Sequence, residues 1–171
     1  MIICIFAPST LPIMMEKDTG ARIIWHILEI SNLLNKYGDN ISQEVGLTTQ
    51  QWLIMLYLAG DPNIPYFDRE QHTKPLMASE LAEAFNVSRP NITNLINGLL
   101  KKGMVEQIAD DVDRRKKRLK LTAKGAALLK KLEPGRKNFN NNLLKDFTAE
   151  EKDQFVDYLS HCNNTIIGHF K

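Results

Sequence analysis

The sequence predicts a mainly α-helical chain that carries one small β-hairpin, and three observations predict it. Apolar residues recur at helical spacing through most of the 171 residues. One window, residues 77–103, holds two short helical patterns separated by Asn86-Val87. Period-two alternation falls at 104–109 and again at 118–122, on either side of the charged run "DDVDRRKK". The length suits one domain, or one domain with an added oligomerisation element. A composition of 43% hydrophobic and 25% charged residues is that of an ordinary globular chain.

Taken in order, the first residues, "MIICIFAPSTLPIMMEK", are apolar but lack an early positive charge, and Pro8 and Pro12 interrupt them. That argues against a signal peptide. Residues 1–19 are read as a loose tail, or as a start assigned too early, with Met14 or Met15 the true one. Residues 21–37 place apolar groups at 23, 27, 30 and 34, with 24, 28 and 33 beside them, a helix with a wide apolar stripe. Thr48 and Gln51 form a capping box, with Leu47 and Trp52 as its hydrophobic staple, opening a helix from about 48 to 59 that stops at Gly60. The stretch 61–75 has three prolines and no helical period, so it is a loop.

In the window "MASELAEAFNVSRPNITNLINGLLKKG", Leu81, Ala82 and Phe85 give a short apolar face, and Asn86 tolerates the left-handed backbone of a sharp turn. Ser88 then caps a second helix whose first turn accepts Pro90. Ile92, Leu95, Ile96 and Leu99 form its buried stripe. Pro90, Asn94, Asn97 and Lys101 lie opposite, flanked by Asn91 and Thr93, and Gly103 ends it. This is a helix-turn-helix. The hairpin follows at once: strand 104–109, the basic tip, return strand 118–122. Thr122 caps a further helix that Pro134-Gly135 should kink or interrupt, and Thr148 with Glu151 makes a capping box for a last helix that aligns Phe155, Leu159, Cys162 and Ile166.

Charge is distributed unevenly. Residues 88–131 hold twelve Lys or Arg against four acids, while the whole chain is only +2, so the remainder is net acidic. A solvated surface would mix its signs; this concentration points to an anionic partner, nucleic acid before membrane surface. Asn91 and Asn94 carry amides suited to adenine edges in a major groove. Arg89 can reach a guanine or a phosphate, and Ser88 and Pro90 begin a helix whose N–H groups attract phosphate. Arg114, Arg115 and Lys116 suit a narrow minor groove. Lys101, Lys102, Lys117 and Lys120 suit phosphates. The bland alternatives are a hairpin whose charges only keep it soluble, and Asn residues that are ordinary surface polarity.

These residues resemble the MarR-type winged helix-turn-helix regulators. The carrying segments are "SELAEAFNVSRPNITNLINGLLKKGMV" and "DVDRRKKRLKLTAKG", the second matching the family's D-x-R…L-T-x-x-G wing with Asp113, Arg115, Leu121, Thr122 and Gly125. The resemblance runs from about residue 20 to the C-terminus. It implies a winged helix-turn-helix over 48–122, with helices at 20–47 and 123–171 that interleave in a homodimer. It further implies a palindromic site on double-stranded DNA, Arg115 entering the groove with Asp113 orienting it, and release by a small molecule or oxidant. Two positions depart from the family pattern: Met77 stands where the first helix usually has a Ser or Thr cap, and Asn94 where many members carry Arg.

An effector, by the same resemblance a small aromatic molecule, would sit between the dimer helices and the DNA-binding lobe, and Trp25, His26, Trp52 and Tyr57 are the aromatic candidates. Each is more often simply core. Cys162 on an apolar helical face reads as a buried, inert thiol, and Cys4 has no basic neighbour to activate it. His26, His72, His161 and His169 lack metal-ligand spacing, so neither metal nor cofactor is expected. No Gly-rich phosphate loop, nucleophile elbow or suitably placed carboxylate pair points to an enzyme. No run reaches membrane-span length, and two cysteines without a C-x-x-C motif fit a cytoplasmic, reducing setting. The expectation is a DNA-binding regulator; a winged-helix module that binds protein instead of DNA is the rival.

Overall fold

The computed structural model describes residues 16–65 and 75–169, so the expectations for 1–15, for most of the 61–75 loop and for His72 and Cys4 fall outside the described residues. The elements are α1 (Thr19–Gln43), α2 (Thr49–Leu58), β1 (Leu76–Met77), α3 (Ala78–Ala84), α4 (Arg89–Lys101), β2 (Val105–Ala109), β3 (Lys117–Leu121), α5 (Ala123–Leu143) and α6 (Ala149–His169). The fold is therefore mainly helical with one small antiparallel sheet, a winged helix-turn-helix flanked by long helices. The chain divides after Thr49 into two compact units.

In the first unit, α1 is longer at both ends than its apolar period suggests. Asp18 caps it by accepting the N–H groups of Gly20 and Ala21 at 2.9 and 3.1 Å. Near its other end the Asp39 carboxylate accepts both the N–H and the hydroxyl of Thr49, at 2.9 and 2.8 Å. Those two donors, the backbone one first, hold the Asp39 carboxyl below its ordinary range. Most of the apolar side chains of α1 stay exposed, Ile23, Ile24, Leu28 and Leu33 among them.

The second unit contains the sheet and the helix-turn-helix. Its largest fully buried side chains are Ile54 and Met55 of α2, Leu81 of α3, and Ile92 and Leu99 of α4. α2 ends at Gly60, whose φ of 67° lets the Asp61 N–H close on the Leu56 carbonyl at 3.2 Å. Asn86, φ 48°, makes the turn after α3, and the Val87 N–H returns to the Ala82 carbonyl at 3.0 Å. Met77 caps α3 with no acceptor of its own, but the Glu80 carboxylate accepts the Met77 N–H at 2.5 Å. Half of a capping box thus suffices where the Ser or Thr is missing.

The sheet order is β1-β3-β2, with β3 antiparallel to both neighbours. Leu119 faces Gln107 on one side and Leu76 on the other. The two-residue β1 is an addition to the hairpin expected from sequence. Its two residues offer no period to read.

The Thr122 hydroxyl accepts the Gly125 N–H at 3.0 Å and donates toward the Gly103 carbonyl at 2.8 Å, so one side chain both starts α5 and fastens it to the exit from α4. α5 then runs unbroken through Pro134, which corrects the expected interruption. Proline forfeits one helix hydrogen bond, but the next turn is braced. Arg136 pairs with Glu133 at 2.8 Å on its own helix and with Asp61 at 2.7 Å. Thr148 and Glu151 exchange their capping-box bonds at 2.8 and 3.2 Å at the start of α6. Cys162 is exposed, not buried as its apolar neighbours suggest, because the face of α6 on which it lies has no cover among the described residues.

Gly125 is buried, and a Cβ there would collide with the Met104 carbonyl and press on Leu121 at 2.9 Å. Gly125→Ala is expected to destabilise the protein by about 1–3 kcal/mol, the usual range for overpacking a tight contact. A lowered denaturant midpoint with an unchanged slope is the readout; an unaltered midpoint would refute the close approach.

Candidate nucleic-acid interface

Of the thirteen residues of α4, Leu95, Gly98 and Leu100 are half-buried, Leu95 less covered than its place in the expected stripe suggests, and the rest divide by exposure. Ile92, Ile96 and Leu99 are buried, while Arg89, Pro90, Asn91, Thr93, Asn94, Asn97 and Lys101 are exposed. Ser88 caps the helix, its hydroxyl accepting the Asn91 N–H at 3.4 Å, and is itself exposed. The Thr93 hydroxyl is turned back on the helix and donates to the Arg89 carbonyl at 2.7 Å, so what it offers outward is its methyl group and a lone pair. The amide groups that sequence reading singled out, Asn91 and Asn94, therefore face solvent.

Lys102 differs from its neighbour Lys101. It is half-buried, and its ammonium donates to Gln51 Oε1 at 2.9 Å. Gln51 is buried in the first turn of α2, and its amide also reaches the Leu95 carbonyl at 3.4 Å. Gly98 makes room for this, since a side chain there would run into the Gln51 amide. Lys102 is thus engaged in fixing α4 to α2, a role its place in a run of basic residues does not reveal. The Lys102 carbonyl accepts Lys124 Nζ at 2.8 Å.

The wing loop spans residues 110–116, closed by the Asp110 N–H on the Lys116 carbonyl at 3.1 Å and the Lys116 N–H on the Asp113 carbonyl at 2.8 Å. Arg114, Arg115, Lys116 and Lys117 are exposed. Among the described residues no carboxylate comes within ion-pair range of any of these four. Asp113 accepts the backbone N–H of Arg115 at 3.1 Å. It shapes the turn beneath the arginine and does not grip the guanidinium.

Asp110 is the acid that the sequence reading passed over. It is buried, accepts the N–H groups of Val112 and Asp113 at 2.9 and 2.8 Å, and pairs with the Arg118 guanidinium. The Asp113 N–H first, then Arg118, outweigh burial and bring its carboxyl to about 2. An Asp two residues before a chain reversal is a signal for such a turn, but in a stretch of mixed charge it does not stand out.

The four aromatic candidates for an effector site behave differently. Trp25 is 71% exposed and His26 is exposed beside Glu29, 3.6 Å away, so neither belongs to a core. Trp52 is half-buried on α2. Tyr57 stacks obliquely on Phe85, ring centres 5.5 Å apart, and burial raises its pKa, assisted by Glu80. It lines a groove of about 1000 Å³ with Leu53, Phe85, Ile166, Ile167 and the Asp61–Arg136 pair. Burial alone would raise the Asp61 carboxyl; the Asn63 donors and Arg136 together hold it lowered.

Comparison with known proteins adds a second line. A family model described as MarR family matches residues 45–116. The HTH-type transcriptional repressor YetL of Bacillus subtilis (strain 168) is 30% identical over 143 residues, covering 83% of this chain and 80% of that protein. The transcriptional activatory protein BadR of Rhodopseudomonas palustris is 27% identical over 145 residues, with 84% and 78% covered. Among solved structures, the S. aureus MepR–DNA complex superposes with a TM-score of 0.72 at 18% identity, over 87% of this chain and 99% of that one.

A carboxyl held near 2 stabilises the fold while it is ionised. Relative to an ordinary aspartate near 3.8, that contribution is present above about pH 4 and disappears as pH falls toward 2. Asp110→Asn should therefore be less stable than the parent at neutral pH, with the gap narrowing as the solution is acidified through that window. Denaturant midpoints for both proteins between pH 7 and pH 2 check this; a gap independent of pH would show that the ionised carboxylate contributes nothing.

Proposed function

The chain belongs to the MarR family of DNA-binding transcriptional regulators, not to an enzyme family, and from that premise we propose that it works as a homodimer on a pseudo-palindromic operator under the control of a small effector. The observation that carries this reading is the pairing of an exposed amide-bearing face on α4 with an exposed wing tip whose four cations have no acidic partner among the described residues. α4 enters the major groove, where Asn91 and Asn94 read adenine edges and Arg89 reads a guanine or holds a phosphate. The wing enters the adjacent minor groove with Arg114, Arg115 and Lys116, and Asp113 fixes the turn that presents them. Lys101 and Lys117 take phosphates, and so do the N–H groups between Ser88 and Asn91. Lys102 acts behind the surface through Gln51.

Dimerisation is supported by α1 and α6 separately. Each presents large apolar side chains to solvent within a single chain: Ile24, Trp25 and Leu28 on the first, Phe155, Leu159 and Ile166 on the second. Exposed faces of this extent mark interaction surfaces. The domain assignment follows: residues 20–47 and 123–171 for dimerisation, 48–122 for DNA. A two-fold dimer places two copies of α4 about one helical turn of DNA apart, ~34–36 Å. The groove beside Tyr57 suits a small aromatic effector, with apolar walls and the Arg136 guanidinium at its edge. Whether DNA binding represses or activates follows from operator position; YetL and BadR, by their names, differ in this.

Selection of bound duplexes from a random-sequence pool tests the reading. A pseudo-palindromic consensus is the expected result, and recovery of no enriched duplex would favour the protein-binding alternative. On the selected site, Asn94→Ala should change base preference at one or two positions of each half-site, at a cost of about 1–3 kcal/mol per contact, and leave the salt slope as it was. Leu28→Asp should yield monomers by sedimentation and lose operator binding; a dimer that persists would move the interface away from α1.

A further inference from the structure

We propose that Arg118 is a positioning residue for DNA binding: with Asp110 it forms a clamp at the wing base that aims Arg114 and Arg115, without touching DNA itself. The proposal rests on the reading of the wing tip as a DNA contact.

Seven of the fifteen residues from 111 to 125 are cations, and Arg118 is set apart from the wing-tip four by where its charge goes. Its side chain is only 19% exposed, whereas 114–117 are open to solvent. It sits on the central strand, opposite Ile108 of β2 and Met77 of β1. From there its guanidinium reaches in three directions. It pairs with the Asp110 carboxylate at the entry to the wing loop, donates to the Pro75 carbonyl at 2.7 Å ahead of β1, and lies 3.8 Å from the Glu80 carboxylate on α3.

Each partner has a second grip. Asp110 also accepts the N–H groups of Val112 and Asp113, so the carboxylate that holds Arg118 folds the first half of the loop. Glu80 also accepts the Met77 N–H at the start of α3, the first helix of the helix-turn-helix. A series of hydrogen bonds, completed by the longer Arg118–Glu80 ion pair, therefore runs from the turn under Arg115 to the N-terminus of α3. Loosening it leaves a hairpin attached to the body through two short strands, with its tip free to swing. Lysine cannot replace arginine here: a planar fork serves two acceptors at fixed angles while its charge faces a third group, and a single ammonium on a flexible stem does not.

Binding of the full chain to a duplex recovered from the random pool, measured as a function of salt, tests this through a double-mutant cycle. Arg114→Ala/Arg115→Ala removes two tip contacts from each protomer, four from the dimer, and should weaken binding at least about tenfold, lowering the slope of log K against log salt by roughly 3.6, about 0.9 per contact. Arg118→Met, with folding confirmed by its melting curve, should reproduce most of that loss in affinity and slope. Combined with the tip variant it should add less than about twofold, because the contacts it aims are already gone. Arg118→Lys should behave like Arg118→Met, which separates the geometry of the fork from the charge. Should Arg118→Met fail to fold, Asp110→Asn enters the same cycle, since its amide oxygen still accepts the loop N–H groups.

The outcomes separate cleanly. A tip variant that binds like the parent overturns the reading of the wing. With the tip effect present, losses that multiply make Arg118 a direct DNA contact. A lowered melting temperature with affinity and slope intact makes the clamp a stability element alone. Either of those two results overturns the positioning role and leaves the DNA-binding reading standing.

Discussion

Everything at the proposed DNA-facing surface depends on one helix satisfying two environments. α4 has thirteen residues, and only Ile92, Ile96 and Leu99 are buried enough to hold it down. Each is worth roughly 1.5–3 kcal/mol over leaving the side chain in water. In the proposed complex that total must hold the opposite face still while base-edge contacts, worth about 1–3 kcal/mol each, do the discriminating. The polar ties fill in where the apolar seam is thin. Gln51 bonds the Leu95 carbonyl and the Lys102 ammonium, one amide joining α2 to the middle and the end of α4. Gly98 is the concession that lets it approach. The turn into α4 and the exit from it are each set by one residue in the left-handed region, Asn86 and Gly103.

The cations obey a division of labour that their crowding conceals. Concentrated positive charge destabilises a fold unless it is neutralised within or held well out in solvent. This chain does both in adjacent positions. Arg118, and Lys102 at the end of α4, are turned inward onto acceptors, and each joins two elements. Arg114, Arg115 and Lys116 are held outward by a loop whose own hydrogen bonds come from Asp110 and Asp113. Asp110 and Asp113 thus serve backbone N–H groups and one half-buried guanidinium, and among the described residues no carboxylate pairs with the tip charges.

How much of this was legible follows from the range of the signals. Local signals read well. Ser88, Thr122 and the Thr148–Glu151 box act on backbone groups two or three residues away, and Gly60, Asn86 and Gly103 impose their turns wherever they stand. The apolar stripe of α4 and the alternation of the wing strands were equally plain. What failed to show was set by partners distant in sequence. β1 has two residues and exists only because β3 offers an edge. Gln51 and Lys102 are fifty-one positions apart. Arg118 looks like one more cation until β1 and α3 close around it. Pro134 is a breaker by local rule and is overruled by Arg136 reaching Asp61, a residue seventy-five positions away. At the site, the outward face of α4 and the wing tip were found from local pattern, while the residues that hold them were not.

Cys162 and Trp25 show a different kind of failure, and it is instructive. Cys162 lies on a face that sequence pattern marks as apolar and Trp25 is of a residue type more often found in a core, yet both are exposed among the described residues. Pattern reports what a surface needs, not which molecule supplies it. Along α1 and along α6 the need is unmet: α6 has no buried residue at all, although it carries Phe155, Val156, Tyr158, Leu159, Ile166 and Ile167. Capping does nothing for this, since caps satisfy backbone groups and leave side chains where they are. A helix of twenty-one residues with its apolar side in water holds its shape poorly, because most helical stability in proteins comes from packing that face. In the proposed homodimer the order of these two helices is a property of the assembly. Under a two-fold arrangement the same faces that stabilise the helices also set the distance between two recognition helices, so packing and half-site spacing become one quantity. A substitution that alters how closely α1 or α6 packs would then act on DNA choice without lying near DNA.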